Sequence, residues 1–403
     1  MTITGIKTLL ICPAQNYLFV KILTDDPNIY GWGEASLNGR DKAVADLIDE
    51  YYAPMLVGMD PDCTEDIWQL IYRGSYWRGG NVMMSALSGI DMALWDIRAK
   101  RAGLPLYSLL GGKARSRVLA YTHVLGKPGA TVGTFEEKAQ QAVNFVNEQH
   151  ARVIRLRAGV PAANGTMGNR QHQNRPVVEH WDSEQEVDKA INYFIAIREK
   201  VGPDIGICYD LHSRFSVPEA IHIIRALEPY KPFFIEDPVA PDCIQSLRSV
   251  REKTAAPLAF GELFKSRYEH LPVINERLAD YIRTDIVRVG GITELRKINT
   301  LAETYDIRTA WHGCNDLSPL CHAVNWHFNV SSYNFGIQEY GNINPVVSSI
   351  VKGGPVYKDG YLYMEDRPGI GIEIDEEMAA RYPYVRAYVP YCRRSTDDSI
   401  VDW

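Results

Sequence analysis

The chain has 403 residues, 46% of them hydrophobic, enough for one large core or two smaller ones. Its formal net charge is −7 with 23% charged residues and no basic stripe, which argues against nucleic acid as a partner. Seven scattered cysteines, odd in number and without a CxxC pair, read as reduced thiols of a cytoplasmic protein and not as a disulfide framework or zinc site.

The opening residues "MTITGIKTLLICPAQ" alternate like a strand and lack a small-residue cleavage site, so no signal peptide is expected. No apolar run approaches the length that spans a membrane. "GIKTLLIC", "NYLFVKIL" and "YGWGEAS" read as three antiparallel strands. Helical patterns follow at 41–54, 63–73 and 82–102. The last places Ala86, Ile90, Ala93, Leu94 and Ile97 on one face and stops at Gly103. Strands first and helices after make residues 1–115 an α+β unit.

From residue 116 to 345 the pattern becomes a strand, then a helix, repeated. Strand candidates are "RVLAYTHV", "RVIRLR", "IGICYD", "PFFIED", "PLAFGE", "DYIRTDIV", "IRTAWH" and "NFGIQE". Helical stretches at 184–200, 217–228, 243–253 and 293–304 lie between them. Eight such strands predict a closed parallel α/β barrel. A doubly wound sheet is the competitor, but no GxGxxG follows an early strand. Residues 346–403 are turn-rich and are expected to pack back on the first unit. Residues 158–182 form the longest irregular piece, expected to be an active-site loop or disordered.

Asp210, Glu236 and Glu262 end three consecutive strand candidates, 26 residues apart in each case. That is about one strand–helix unit, so the three acids would meet at the C-terminal mouth of the barrel. Without a cation they would repel one another. An all-oxygen set with room for water favours Mg²⁺. Any one of these acids alone would more readily be a helix cap or an ion-pair partner, and the signal is in their register. Other strand ends carry His123, Arg155, Arg157, Arg283, Asp285, His312, Asp316 and Glu339. His212 stands two residues beyond Asp210, on the same side if the strand continues.

"SALSGIDMALWDIRAKRAGLPLYSLLGG", the three-acid ladder and "GGIT" together resemble the enolase superfamily over nearly the whole chain. "DLH", "HGCNDLSP" and "NFGIQEYG" are similar to its mannonate dehydratase subgroup, with the galactonate dehydratases as relatives. The resemblance implies a modified TIM barrel, (β/α)₇β, with an α+β capping domain. It implies one Mg²⁺ per subunit on Asp210, Glu236 and Glu262. It also implies an acid-sugar site lined by Asn38, His123, Arg155, His212, Arg283, His312, Asp316 and Glu339. The reaction implied is abstraction of a proton α to a sugar carboxylate and loss of the β-hydroxyl as water. A cytoplasmic homo-oligomer is expected, with an acid sugar as its partner.

One position departs from the subgroup. There an Arg at the end of strand two works with a Tyr twelve residues later as the base. Arg155 fits the Arg, but Met167 stands at the Tyr position, and no tyrosine lies between Tyr121 and Tyr193. Methionine transfers no proton, and guanidinium stays protonated. The base expected in their place is His312 oriented by Asp285, with His212 as the acid. Such a base attacks the opposite face of C2, so little or no D-mannonate turnover is expected and the true substrate is open. The competing reading is a sugar-acid binding or regulatory protein, or one acting on another substrate class; a racemase is a third.

Overall fold

Three antiparallel strands, Ile3–Ile11, Tyr17–Thr24 and Tyr30–Glu34, begin the computed structural model, which describes residues 1–124, 134–158, 178–341, 343–389 and 391–402. Alternation sorts the middle strand between two cores. Leu18, Val20 and Ile22 pack with the neighbouring helices, while Tyr17 and Phe19 join the core of the barrel. Both faces of the strand are therefore covered.

Helix Asn81–Arg101 is treated the same way. Ala86, Ile90, Ala93, Leu94 and Ile97 lie in the first core, as their spacing predicts, and Met92, Trp95 and Ala99 lie in the second. The strand Tyr30–Glu34 approaches this helix through Gly31 and Gly33. A Cβ at either would come within 1.9 Å of the Ala93 or Gly89 carbonyl oxygen. The single helix expected over 41–54 is instead an α-helix Asp41–Leu47, a π turn Ile48–Tyr52 and a short α-helix Ala53–Leu56. Pro54, with no N–H to donate back along the helix, sits where the last piece begins.

Eight parallel strands follow: Val118–His123, Val153–Arg157, Gly206–Asp210, Phe234–Glu236, Leu258–Phe260, Tyr281–Ile282, Arg308–Thr309 and Gln338–Glu339. They pair in chain order. Pairing of Gln338 with Ala120 closes the ring, and a parallel bridge from Thr309 to Phe335 fills the remaining seam. Each expected strand segment contributes one stave, though the last three are only two residues long.

The tail reaches both units. Tyr361 pairs antiparallel with Leu119 on the first barrel strand. The Cys12 N–H donates to the Tyr382 carbonyl at 2.8 Å, and the Ile370 N–H to Asp96 Oδ1 at 2.7 Å. A strand with no local signal, Tyr391–Arg393, pairs in parallel with Val178–His180, the next described strand after the second barrel strand. The C-terminal segment thus packs on the barrel as well as on the first unit. Among the described residues no helix is long and apolar enough to cross a membrane.

Candidate active site at the barrel mouth

Tyr121, Val153, Cys208, Phe234 and Ile337 pack together inside the barrel. Two residues further along each strand, the same face carries His123, Arg155, Asp210, Glu236 and Glu339. An apolar floor therefore supports a charged layer, and the alternation of the strand dictates both. Arg283 and His312 follow Tyr281 and Ala310 by the same step. Glu262 breaks this parity. Gly261, at φ +122, turns the chain so that the acid still faces its neighbours.

Glu236, Asp237 and Glu262 each offer an oxygen within 4.8 Å of the others. Asp237 takes part because its φ of +39 departs from the extended strand, bringing two consecutive acids to one side. Asp210, the acid expected third, stands one guanidinium away. Arg155 Nη2 donates to Asp210 Oδ2 and, at 3.0 Å, to Glu236 Oε1. Asp210 Oδ1 accepts the His212 N–H at 2.6 Å. On the other side Arg283 Nη2 lies 3.0 Å from Glu236 Oε1, 3.1 Å from Glu262 Oε2 and 2.7 Å from Glu339 Oε2.

The other oxygen of Glu236, Oε2, is buried and accepts no hydrogen bond. Burial pushes the Glu236 carboxyl up to about 8 despite Arg155 and Arg283. Asp237 is raised well above the carboxylate range by burial and by the charges of Glu262, Glu236 and Asp210. An orphaned oxygen beside further hard oxygen donors is a chemical fit for a small divalent cation such as Mg²⁺.

Across the mouth, His312 Nδ1 is 2.8 Å from Asp285 Oδ2, and its Nε2 is 3.9 Å from Glu262 Oε2. Burial opposes a charge on His312, but Glu262 and Asp285 hold its proton and raise it overall. The Cys314 thiol also faces it, but burial pushes that group up to about 12, so it is neutral at ordinary pH. Arg288 bridges Asp285 and Asp316, at 2.7 and 2.9 Å. Asn38, from the loop after the first unit's third strand, donates to Asp316 Oδ2.

His212 differs from the strand-alternation argument. The strand ends at Asp210, and His212 and Ser213 have φ of +54 and +60. Its Nε2 lies 2.9 Å from Arg157 Nη2, and since guanidinium only donates, that nitrogen is the acceptor. His123 Nε2 meets Glu339 Oε1 at 2.6 Å.

These groups surround a cavity of about 620 Å³, lined by Asn38, His123, Arg155, His212, His312 and Asp316 among others. Arg283, Asp285 and Glu339 are fully buried behind that wall. Arg283 and Glu339 were expected to touch the substrate, but each is already paired with the other. Sequence reasoning passed over Asp237 and Arg288. The "ED" of "PFFIED" was the available signal for the first. Met167 and residues 159–177 lie outside the described residues.

A family model described as Enolase C-terminal domain-like matches residues 137–378. One described as the Mandelate racemase / muconate lactonizing enzyme, N-terminal domain, matches residues 9–111. The chain is 40% identical over 411 residues, covering 100% of both proteins, to the D-galactonate dehydratase family member RspA of Cellvibrio japonicus. It is 40% identical over 405 residues, 98% of each, to the D-mannonate dehydratase of a Sphingomonas strain. The crystal structure of an enolase from Pantoea ananatis with bound D-gluconate and Mg has a TM-score of 0.91, 39% identity and coverage of 100% of both chains.

Proposed function

Because the chain belongs to the enolase superfamily, in its mandelate racemase and muconate lactonizing enzyme group, we propose that it is an acid-sugar dehydratase dependent on one Mg²⁺ per subunit. One observation carries the reading: the His312–Asp285 pair reaches 3.9 Å from the acid cluster at Glu262, beside the cavity. A base and a cation site thus share one wall.

Mg²⁺ on Glu236 and Glu262, with Asp210 or Asp237, would supply positive charge against the carboxylate of the sugar acid. The remaining steps belong to side chains. His312, once it has given up the proton that Glu262 and Asp285 hold, takes at Nε2 the proton α to that carboxylate. Asp285, bonded at Nδ1, fixes the tautomer that presents Nε2 and steadies the charge once the proton arrives. His212 gives a proton of its own to the departing β-hydroxyl. Asn38, His123, Arg155 and Asp316 bind the sugar along the cavity wall, while Arg283 and Glu339 hold the wall's charges from behind.

A second reading has one observation in its favour. Arg157 already occupies His212 Nε2, which leaves the acid less ready to act. The protein would then bind a sugar acid without dehydrating it. Incubation with Mg²⁺ and D-gluconate, D-mannonate, D-galactonate and their epimers decides the matter. A 2-keto-3-deoxy acid from any of them supports the dehydratase. No product from any, with one acid raising the melting temperature, supports the binding protein.

A further inference from the structure

The mouth of the barrel holds a second convergence of ligand atoms, chemically unlike the acid cluster. His312, Cys314 and Asp316 each place a potential donor within 4.8 Å of the other two. They come from alternate positions of "HGCND" in an irregular segment between the seventh strand and the helix Pro319–Ser331. All three line the cavity. Cys314 Sγ already points at Asp316 Oδ1.

The donor set is imidazole, thiol and carboxylate. Mg²⁺ prefers oxygen alone, whereas sulfur with nitrogen suits a borderline dication, which three protein ligands hold with a fourth position open. The charge around the trio points the same way. Asp285 and Asp316 share one guanidinium, that of Arg288. A metal bound here displaces the protons of Cys314 and His312, and the group then carries an excess of two negative charges, which one dication balances.

We propose that His312, Cys314 and Asp316 form a second metal site, selective for a transition-metal dication of the Zn²⁺ type over Mg²⁺. It adjoins the acid cluster, with His312 Nε2 3.9 Å from Glu262 Oε2, but does not depend on the chain being a dehydratase. One consequence rests on the dehydratase reading. A metal on His312 removes the base, so Zn²⁺ inhibits, and added Mg²⁺ does not restore turnover.

Co²⁺ is the probe, added to the full-length protein in saturating Mg²⁺. A thiolate-to-cobalt absorption band in the near ultraviolet is expected, saturating at one equivalent. Cys314→Ser abolishes the band, while Glu236→Gln, which disables only the oxygen site, keeps it. Absence of the band in the wild-type protein overturns the proposal. So does a band that survives Cys314→Ser, since another of the seven cysteines would then be the ligand. Because the readout is sulfur ligation and not turnover, the second metal site stands or falls separately from the dehydratase assay.

Discussion

Arg283 and Glu236 form an ion pair 3.0 Å apart in which neither side chain touches solvent. The same guanidinium nitrogen also meets Glu262 and Glu339. Removing it strands several buried carboxylates, which costs more than the pair itself contributes. Arg283→Met should therefore destabilise the protein by about 3–5 kcal/mol in a urea melt without divalent cations. With Mg²⁺ present the loss should shrink, because a cation on Glu236 and Glu262 supplies part of the missing charge. An unchanged loss in Mg²⁺ would count against these acids as the cation site.

His312 and Asp285 make a different demand. If His312 takes the α-proton, His312→Asn should lower kcat by about 10²–10⁴ on whichever acid sugar is turned over. KM should move little, since Asn fills much the same space. Asp285→Asn should also lower kcat, because it favours the tautomer with Nδ1 unprotonated. Deuterium exchange at C2 of the substrate checks the step directly, and exchange at the wild-type rate in His312→Asn would assign the base elsewhere.

The barrel was legible in the sequence because every stave announced itself as an apolar run with a polar end. The charged layer followed from strand parity, which set His123, Arg155, Asp210, Glu236 and Glu339 on one face. Parity failed where the backbone left the extended region. Asp237 at φ +39 and His212 at φ +54 point where alternation does not send them. Asp and His are enriched among left-handed residues other than glycine, but only several-fold, too weak a mark to single out these two. The counter-charges were illegible for another reason. Arg155 and Arg283 read as substrate contacts, but whether an arginine faces a ligand or a neighbouring acid depends on distances between strands. The pairing of Tyr391–Arg393 with Val178–His180 joins segments far apart in the chain, and neither has a local pattern that requires the other.

Gly291 joins the two units through a close approach. It has φ +76, and a Cβ there would lie 2.6 Å from Asp91 Oδ2. Asp91, on the helix Asn81–Arg101, caps the N-terminus of Gly291–Thr304 by accepting the Thr293 N–H at 2.9 Å. Gly291→Ala should combine left-handed strain with a displaced cap, about 2–4 kcal/mol together. Gly58 is the control, with φ +93 and nothing within 4 Å. Gly58→Ala should show the strain alone, about 1–2 kcal/mol. Equal melting temperatures for the two variants would mean that the contact with Asp91 contributes nothing.

Asp91 also gives stability a pH dependence of unusual sign. It is fully buried, and burial pushes its carboxyl up to about 7 despite the bonds from Thr293. An unfolded aspartate titrates near ~3.9. The folded value is higher, so the contribution is complete below that unfolded value and is lost as pH rises through about 7. Asp91→Asn keeps the geometry. Its amide oxygen accepts the Thr293 N–H, and its NH₂ donates to Thr293 Oγ1, which sits 2.6 Å from Asp91 Oδ1. It carries no charge at any pH. Relative to wild type, Asp91→Asn should therefore gain about 1.4 kcal/mol per pH unit across the window between the two titrations. Above it the difference should level off. Denaturant melts at closely spaced pH values measure that slope, and a difference independent of pH would show that the Asp91 carboxyl is already ionised throughout.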